Sequence, residues 1–428
     1  MTATYDVVAV GCGPFNLGLA ALASGLDELS LAVYDDRPEF TWHRGLMFDD
    51  AMLQVSFLAD LVSLVEPAHP LSFLSWLRET DRLYQFYVRE LFHPSRREYE
   101  AYLRWVSAQL PSLHFNHAVR EVAWDGDAFR ITVAHGNEIV EVTARHLVAG
   151  IGTAPWVPEA LAGLGPERVV HSADYLLRRD ELLAAGRVTV IGSGQSGAEC
   201  ALDLLRSGDA GGPAVGWLTR TPSFAPLDYS KLVLEMTTPS YVDYFHALDE
   251  PVRERLVKEQ WRHYKGISGE TLDAFHNELY QRDLRDAAPV ELRCGVAVEG
   301  TERTGDEVEL TLRHAETGRV FTHRTSMVVA ATGYRNREPG FLAGVVPLLE
   351  RDAAGRLRIE RDHSVAASGA LRGRVFVANA DLHSHGVAAP DLGIGAVRNA
   401  TILNAVAGRE CFRLPKSTAY TTFAVPAS

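Results

Sequence analysis

Hydrophobic and polar positions follow two different periods along the chain. The run YDVVAV is short, continuous and apolar, which is typical of a buried strand, and the segment LGLAALASG after it has the apolar spacing of a helix. LSLAVYDD then returns to a strand that ends in two acids. The same order of strand, glycine-rich turn, helix and strand recurs from GRVTVIGSGQSGAECALDLL to AVGWLTR. The alternation predicts an α/β fold with two Rossmann-like units.

The first glycine-rich turn, GCGPFNL, lies between a predicted strand and a predicted helix. Gly11 permits the tight turn, and Gly13 lets a pyrophosphate approach the backbone at the helix N-terminus. Asp35 closes the next strand, where a carboxylate can accept hydrogen bonds from ribose hydroxyls. We predict a dinucleotide site at Gly11, Gly13, Pro14, Asn16 and Asp35, although Asn16 replaces the third glycine. A glycine-rich turn beside a solvated aspartate is the alternative.

The second glycine-rich turn keeps all three glycines, and its second strand ends in Leu218-Thr219-Arg220 instead of an acid. A basic residue at that place suits a 2′-phosphate, which favours NADP over NAD. A solvated arginine is the alternative. The residues that we assign to this second site are Gly192, Gly194, Gln195, Ser196, Gly197 and Arg220.

Two such sites in one chain imply two dinucleotides, an FAD that stays bound and an NADPH that reduces it. The segments LVAGIGTAPWVP and VVAATGY support this prediction, because each is a strand that ends in small residues. Such strand ends lie against dinucleotides in two-domain flavoproteins, and we therefore add Thr332 and Gly333 to the cofactor-binding residues.

Composition narrows the class of protein. The 428 residues suffice for two or three domains, and a formal net charge of −13 argues against nucleic acid as a partner. An acidic field favours a cationic small molecule, although the same acidity also keeps a cytoplasmic protein soluble. The four cysteines form no CxxC pair, which argues against disulfide redox chemistry and thiolate metal sites.

The sequence shows neither a membrane span nor a secretion signal. No apolar run approaches the roughly 20 residues of a membrane-spanning helix. The N-terminus MTATYDVVAV has no basic region and no small-residue cleavage site. We therefore expect a cytoplasmic protein that makes no membrane contact.

The chain resembles a known family, the flavin-dependent N-hydroxylating monooxygenases of siderophore biosynthesis, which act on lysine, ornithine or diamines. The resemblance covers nearly the whole sequence. Its motifs include GCGPFNLGLA, RPEFTWHRGLMFDDAMLQVSFLADLVSL, PLSFLSWL, RLYQFY, PSRREYEAYLRW, IGSGQSGAECALDLL, ATGY and HSHGVAAPDLGIGAVRNATILN.

The resemblance implies an activity. NADPH reduces the FAD, oxygen adds to form a C4a-hydroperoxyflavin, and the distal oxygen passes to a neutral primary amine. NADP⁺ would stay bound, and the protein would orient the reactants and exclude water. The family also implies a homo-oligomer, a tetramer or a dimer.

Matching motif positions imply several site residues. Gln54 would lie close to the flavin ring as the catalytic residue, with a surface amide as the alternative, and Trp42 and His43 would lie along the FAD. The stretch Pro390–Gly395 would place backbone N–H groups near the flavin pyrimidine, which adds Asp391, Leu392 and Gly393. His383 and His385 have HxH spacing, but nothing else suggests a metal, so we expect loop residues, with His385 in the substrate pocket.

Two positions bear on the substrate. Amino-acid members of the family carry a lysine where this chain has Ala59, and an asparagine where it has Leu234, and both face the substrate carboxylate. A buried carboxylate would lose its partners here, which favours a diamine such as cadaverine or putrescine. The alternative is that Lys231 or Lys265 holds the carboxylate of lysine or ornithine.

The acid that binds the distal ammonium and the class of the protein both stay open. Asp60 and Asp391 are both candidates for binding the distal ammonium, and each could equally be a helix cap or a member of a structural ion pair. A protein of another class, an NADPH-dependent flavin electron donor or oxidase, is the rival reading of the two dinucleotide sites.

The order of segments predicts a discontinuous FAD domain, formed by residues 1–165 and 326–428. An NADPH domain would occupy residues 166–325 and would include a helical substrate region at about 231–280. The last part of the chain would supply a substrate-pocket loop and a C-terminal helix.

Overall fold

Two sheets with parallel cores organise the chain in a computed structural model that describes residues 3–207, 212–285 and 287–425. The first sheet has seven strands in the order β3-β2-β1-β6-β5-β4, with β17 also paired to β6. Its strands are β1 (Ala3–Val10), β2 (Leu31–Tyr34), β3 (Leu113–His114), β4 (Ala118–Trp124), β5 (Phe129–His135), β6 (Glu138–Ala149) and β17 (Val375–Val377).

Both ends of the chain contribute to the first sheet. β1 pairs in parallel with β2 and β6, while β17 pairs in parallel with the end of β6. β4 and β5 extend the sheet as antiparallel strands. The carboxyl ends of β1, β2, β6 and β17 therefore meet at one edge, where ligands bind in open α/β sheets.

The second sheet is entirely parallel, with the strand order β11-β10-β9-β15-β8. It includes a strand at Met327–Ala330, which lies beyond the domain boundary that we place at residue 325. The strands are β8 (Val169–His171), β9 (Arg187–Ile191), β10 (Ala214–Leu218), β11 (Glu291–Arg293) and β15 (Met327–Ala330).

Two small antiparallel sheets complete the strand structure. One has three strands in the order β12-β13-β14, and the other pairs β16 with β7 across the connection between the larger sheets. These strands are β7 (Ala154–Pro155), β12 (Val296–Thr304), β13 (Glu307–His314), β14 (Val320–Thr325) and β16 (Tyr334–Arg335).

Helices cover the sheets and form a separate helical segment between β10 and β11. α1 and α13 pack together over the first sheet, and α7 and α11 pack together beside the second. The helices are α1 (Pro14–Ala23), α2 (Phe73–Glu79), α3 (Leu83–Arg89), α4 (Arg96–Ser107), α5 (Glu159–Ala162), α6 (Arg179–Leu183), α7 (Gln195–Ser207), α8 (Lys231–Leu234), α9 (Pro239–His246), α10 (Glu250–Glu259), α11 (Gly269–Leu284), α12 (Leu382–His385) and α13 (Gly395–Ala407).

The local order predicted from the sequence is confirmed. Val7 to Val10 of β1 are all buried, as a strand covered on both faces requires. α1 begins with Pro14 after Gly13, and α7 begins at Gln195, immediately after Gly194. The fold is α/β with two Rossmann-like units. Over the three described ranges, no helix has both the length and the apolar character needed to cross a membrane.

Candidate active site

The first glycine-rich turn is held by backbone packing and by one buried amide. Gly11 has φ +87°, and a Cβ there would lie 2.7 Å from the carbonyl oxygen of Gly150. Asn16 is buried, and its Nδ2 donates to the carbonyl oxygens of Gly11 at 2.7 Å and Val10 at 3.1 Å. A Cβ on Gly13 would have no atom within 4 Å, so the turn leaves open space where a pyrophosphate would approach.

Asp35 at the end of β2 is bonded to the turn and to Arg37. Its Oδ2 accepts the Cys12 N–H at 2.6 Å and an Arg37 Nη2 bond at 2.8 Å. Its Oδ1 accepts the Arg37 backbone N–H at 2.9 Å and Nε at 2.8 Å. These four bonds fill the roughly four acceptor positions of a carboxylate, so a ribose hydroxyl would have to displace Arg37.

A large cavity of about 810 Å³ extends from this turn along the carboxyl edge of the first sheet. Gly11, Gly13, Pro14 and Asp35 line one end of it. Its other lining residues include Phe15, Arg37, Trp42, His43, His117, Arg120, Gly150, Tyr334, Arg337, Pro390 and Leu392. Its position, and the open space at Gly13, fit a dinucleotide of the FAD type.

Trp42 and His43 form the wall where this cavity continues toward the second unit. The backbone N–H of Trp42 donates to Glu100 Oε1 at 3.1 Å, and the two rings lie 4.6 Å apart. His43 has φ +47°, a conformation that non-glycine residues adopt rarely. Burial, and then the Arg96 charge, lower the pKa of His43 to about 4, so the imidazole is neutral at pH 7.

The second glycine-rich turn is closed by glycine packing and by one side-chain bond, from Trp217 Nε1 to the carbonyl oxygen of Gly192 at 2.6 Å. Gly192 has φ +133°, and a Cβ there would lie 2.1 Å from the carbonyl oxygen of Ala331. A Cβ on Gly197 would lie 2.7 Å from the carbonyl oxygen of Gly192, whereas one on Gly194 would meet nothing within 4 Å. The turn is closely packed at Gly192 and Gly197 and open at Gly194, as a pyrophosphate site at the N-terminus of α7 requires.

The residues that follow β10 and β15, two strands of the second sheet, lie on either side of that turn. Arg220 is exposed just beyond β10, and its charge is near enough to lower the pKa of Lys265, after the larger effect of burial. Thr332 Oγ1 donates to the carbonyl oxygen of Trp156, and Gly333 has φ +81°. Thr332 and Gly333 therefore form part of the connection between the two units.

A smaller cavity of about 270 Å³ lies where the two units meet. It shares Trp42, His43, Leu46, Tyr334, Pro390 and Leu392 with the larger cavity. Residues from both units line it, since Gln54 and Asp391 face Gln195 and Ser196 of the second turn. The remaining lining residues are Leu53, Val55, Arg96, Tyr229, His263, Tyr264 and Val387.

A hydrogen-bond network joins Gln54 to the second unit. Its Nε2 donates to Gln195 Oε1 at 3.3 Å, and Gln195 Nε2 donates to Glu199 Oε1 and Thr271 Oγ1, both at 2.8 Å. Glu199 also pairs with Arg96 through two bonds of 2.8 and 2.7 Å. Gln54 is therefore a half-buried side chain that bonds across the two units.

Asp391 supplies a carboxylate to the wall of the smaller cavity. Its Oδ1 accepts the Gly393 N–H at 2.6 Å, and its charge contributes, after burial, to a raised pKa of Tyr229. Burial raises the pKa of Asp391 itself, against the opposing effects of the Gly393 bond and the Arg398 charge. A cation in the cavity would offset the cost of burying this charge.

Asp60 has a different role. Its Oδ1 accepts the Val62 and Ser63 N–H groups at 2.9 and 2.6 Å, while its Oδ2 accepts the Ser63 hydroxyl and the Phe73 N–H, both at 2.7 Å. Burial raises its pKa, although these bonds favour the ionised form. The four bonds use the acceptor positions of the carboxylate, so Asp60 organises the 60–73 segment, as the structural alternative predicted.

Ala59, Leu234 and His385 do not line either cavity in the described part of the chain. Ala59 is buried behind the cavity wall, and a Cβ added to Gly393 would lie 3.9 Å from Ala59 Cβ and 2.9 Å from Asp391 Oδ1. Leu234 ends α8 and is partly exposed. His385 is buried against His363, with ring centroids 4.1 Å apart.

The two histidines of the HxH sequence point to different partners. His383 Nε2 lies 2.9 Å from the carbonyl oxygen of Leu357, whereas His385 lies beside Asp381. His363, Asp381 and His385 have potential ligand atoms within 4.8 Å of one another. Arg398 lies 3.6 Å from Asp381 and provides a balancing charge for that carboxylate.

Comparison with known proteins identifies the family. The family model for L-lysine 6-monooxygenase/L-ornithine 5-monooxygenase matches residues 3–336. The chain belongs to this family. Its sequence is 41% identical to the putrescine N-hydroxylase of Shewanella oneidensis over 424 residues, which cover 98% of this chain and 84% of that protein.

Two solved structures of related enzymes resemble this member of the family closely. One is the FAD-bound cadaverine monooxygenase of the desferrioxamine pathway from Erwinia amylovora, with a TM-score of 0.96, 36% identity and 100% coverage of both chains. The other is the Kutzneria ornithine N-hydroxylase with reduced FAD, NADP⁺ and L-ornithine, with a TM-score of 0.88 and 26% identity. That match covers 95% of this chain and 99% of the other.

Sequence reasoning missed several residues of the site in this family member. Arg37, which fills the acceptor positions of Asp35, lies only two residues further along the chain. Arg96 and Glu199, which link the units, lie within the segments PSRREYEAYLRW and SGQSGAECALDLL that carry the family resemblance. Each of these segments carries several charges, and the pairing of Arg96 with Glu199 spans 103 residues, so no local pattern indicates it.

Proposed function

We propose that this enzyme uses FAD and NADPH to N-hydroxylate a primary aliphatic diamine, of the cadaverine or putrescine type, for hydroxamate siderophore biosynthesis. The observation that carries the proposal is the Asp391 carboxylate in the small cavity between the two dinucleotide units. A diamine offers one amine for reaction and a second, charged amine for binding a carboxylate. The substrates named for the Shewanella and Erwinia relatives agree with this choice.

FAD would occupy the larger cavity. Gly11 and Gly13 would receive its pyrophosphate at the start of α1, with Pro14 beside them, while Asn16 and Asp35 would keep the turn in shape. Trp42, His43 and Leu392 would then lie along the ring-bearing part, where the two cavities join. When bound, the reduced flavin activates oxygen for transfer to an amine.

NADPH would bind the second turn. Gly192, Gly194 and Gly197 would admit its pyrophosphate, and Gln195 and Ser196 face the smaller cavity. Arg220 would contact the 2′-phosphate. Gln54 would then hold the cofactors in register, because its bond to Gln195 connects the two units.

The substrate would lie between Gln54 and Asp391. Its distal ammonium would pair with the Asp391 carboxylate, and its reacting amine would have to be neutral, because an ammonium has no lone pair. An unperturbed alkylamine has a pKa near ~10.4, so a dry cavity that disfavours the charged form would increase the reactive fraction.

Ala59 supports a substrate without a carboxylate. A lysine at position 59 would extend toward Gly393 and Asp391, because Ala59 already lies against that loop. Its ammonium would occupy the place that we assign to the diamine. Lys231 and Lys265, the alternative carboxylate partners, do not line the smaller cavity in the described part of the chain.

The deciding experiment measures hydroxylamine product from FAD-loaded enzyme and NADPH, with cadaverine, putrescine, lysine and ornithine side by side. We expect product from the diamines and little from the amino acids. Comparable product from lysine or ornithine would support amino-acid hydroxylation instead. NADPH consumption that yields only hydrogen peroxide with every amine would support the rival flavin oxidase.

Asp391→Asn tests the binding site for the ammonium. Loss of a charge-assisted hydrogen bond of roughly 1.5–3 kcal/mol predicts a rise in the KM for diamine of about 10- to 100-fold. The rate of flavin reduction by NADPH without amine should stay within about twofold. An unchanged KM would exclude Asp391 as the ammonium partner.

We also infer a homo-oligomer, supported by an apolar face on α3. Phe86 packs inward, while Tyr84, Tyr87 and Val88 point outward and are between 71% and 80% exposed. Arginines and acids both border this face, including Arg82, Arg89 and Glu90, which suits contact with a second copy of the same surface. Val88→Glu should lower the mass measured by light scattering, whereas Ile139→Glu, on an exposed hairpin strand, should not.

The proposed reaction also indicates the cellular compartment in which the enzyme works. NADPH is the reductant of the cytoplasm, and we infer that the enzyme works there. The partners would be limited to the amine, oxygen and further copies of the chain.

A further inference from the structure

One arginine lies between the first glycine-rich turn and the loop that carries Asp391. Arg398 is in the first turn of α13, and its side chain is fully buried. It does not line either cavity in the described residues, so it has no place in the amine or cofactor contacts proposed above. A buried arginine is costly unless its charge is balanced and its N–H groups are used.

Arg398 contacts both segments directly. Its Nη2 donates to the carbonyl oxygen of Ala389 at 2.6 Å, immediately before Pro390 and Asp391. Its guanidinium lies 4.7 Å from the centre of the Phe15 ring, in the first turn of α1. Phe15 lines the larger cavity, and its carbonyl oxygen accepts a bond from Asn399, the next residue on α13. One side chain therefore connects the two walls of the site.

Asp381 provides the countercharge from a third segment. Its Oδ1 lies 3.6 Å from Arg398 Nη2, and its Oδ2 accepts a 2.8 Å bond from His363 Nδ1. Burial alone would raise the pKa of Asp381, but the Arg398 charge and then the His363 bond lower it far below its usual range. The carboxylate is ionised, and Arg398 is held without a direct hydrogen bond to it.

The buried ion pair contributes little to stability, but the other contacts of Arg398 hold neighbouring groups in place. Replacing buried ion pairs by apolar groups often leaves stability unchanged or improves it. The Ala389 bond and the Phe15 contact, in contrast, fix a carbonyl group next to Pro390 and a ring beside the first glycine-rich turn. A displacement of about 1 Å at a reacting centre can reduce the rate by about 100-fold.

We propose that Arg398 is a positioning residue, which sets the Asp391 loop relative to the first glycine-rich turn. The proposal rests on the amine hydroxylation proposed above, because its consequence is the distance between the bound amine and the flavin. Misplaced amine would allow reduced flavin to consume oxygen without transferring it. Arg398 should therefore govern coupling, the hydroxylamine formed for each NADPH consumed.

Arg398 also acts on Asp391 through its charge. Arg398 and Tyr229 interact electrostatically with Asp391, and the Arg398 charge opposes the rise in the pKa of Asp391 that burial causes. The other titratable groups that face Asp391 across the smaller cavity are His43, Arg96, His263, Tyr264 and Tyr334. Loss of that charge should move the acid limb of kcat/KM for diamine to higher pH. A lysine should preserve the charge while losing the geometry of the planar guanidinium.

The test compares Arg398→Lys and Arg398→Met in the FAD-loaded protein. We expect Arg398→Lys to reduce coupling about 3- to 10-fold and to raise the KM for diamine, with flavin reduction by NADPH within about twofold of wild type. Arg398→Met should show the same effects and should also move the acid limb of kcat/KM for diamine to higher pH. Arg282→Lys is the matched control, since Arg282 is also buried and donates to a carbonyl, that of Leu205, away from both cavities.

Hydrogen–deuterium exchange gives a measurement that does not depend on the reaction. Arg398→Lys should speed exchange in residues 386–394 of the FAD-loaded protein, and Arg282→Lys should not. Unchanged exchange with unchanged coupling would overturn the proposal, as would equal loss of FAD, flavin reduction and coupling. If wild-type enzyme forms no hydroxylamine, the proposed function fails while the exchange result still decides whether Arg398 positions the loop.

Discussion

The two glycine-rich turns have nearly the same spacing but are built differently. In the first, a buried amide, Asn16, holds the turn, and Arg37 fills the carboxylate of Asp35. In the second, Gly197 lies directly against Gly192, and Arg220 is left exposed. Both turns receive a side-chain bond, in the second from Trp217 to Gly192, but the charged residue beside the first turn is bonded whereas the one beside the second is left exposed. This difference suits one cofactor that stays bound and another that enters and leaves.

The largest effects should come from Gly13→Ala and Gly194→Ala. A methyl group at either position meets no protein atom within 4 Å, so the fold should be unchanged, but it would occupy the space for a pyrophosphate. We expect Gly13→Ala to lose FAD absorbance and Gly194→Ala to raise the KM for NADPH by about 100-fold with FAD retained. Equal effects of both variants on FAD would contradict the assignment of the turns to different cofactors.

Asn16→Leu should have the next largest effect. It removes the bond to the carbonyl oxygen of Gly11, while that of Val10 keeps the Gly150 N–H bond, and the loss at Gly11 should lower the free energy of unfolding by roughly 1–3 kcal/mol and speed FAD release. Asn404→Leu is the control, because Asn404 also bonds backbone groups, three of them, but lies near the end of α13, away from the cavities. Urea unfolding and FAD fluorescence measure the two effects. FAD release at the wild-type rate from Asn16→Leu would show that the amide does not maintain the turn.

In the two turns, local structure could be predicted from the sequence, whereas contacts between side chains could not. The strand, turn and helix around Gly11 and Gly192 were predictable, because their apolar periods and glycine positions are local. The role of Asp35 was not, since an acid at the end of a strand gives no sign that Arg37 occupies it. The pairing of β17 with β6 was beyond local patterns for the same reason.

In the site, too, contacts between residues far apart in the sequence could not be predicted. Asp60 and Asp391 were indistinguishable as acids next to apolar segments, and the difference lies in what surrounds them. Asp60 receives four bonds from residues 62–73, while Asp391 faces a cavity that also contains Gln195. The contact between Gln54 and Gln195 spans 141 positions, so no local pattern indicates it.

Arg220→Ala should have a moderate effect that is confined to the second turn. If Arg220 binds the 2′-phosphate, its loss should reduce the preference for NADPH over NADH by about 10-fold, since an exposed charge contact is worth roughly 1–2 kcal/mol. Steady-state kcat/KM with each nucleotide measures the ratio. Arg206→Ala, at an exposed ion pair with Asp50, is the control and should leave the ratio unchanged.

Asp35→Asn should give the smallest effect, a loss of stability at pH 7 that shrinks as the pH falls. Burial alone would raise the pKa of Asp35, but the bonds from Arg37 and Cys12 lower it. Its stabilising contribution is therefore present above the unfolded value of about 3.9 and is lost as the pH falls through the folded value. Urea unfolding from pH 7 to pH 3 should show a shallower acid decline for Asp35→Asn. A slope equal to that of wild type would contradict the role of the Arg37 pair.

The shared first sheet also sets an order of events during synthesis. Residues that line the larger cavity run from Val10 to Leu392, and β17 joins β6 only after the whole second sheet has been translated. A nascent chain on the ribosome can thus form the glycine-rich turn long before it has a wall opposite. Pro390 and Leu392 complete this wall, so cofactor uptake must wait until they have been translated, and a chain cut short before Pro390 would lack part of that cavity wall.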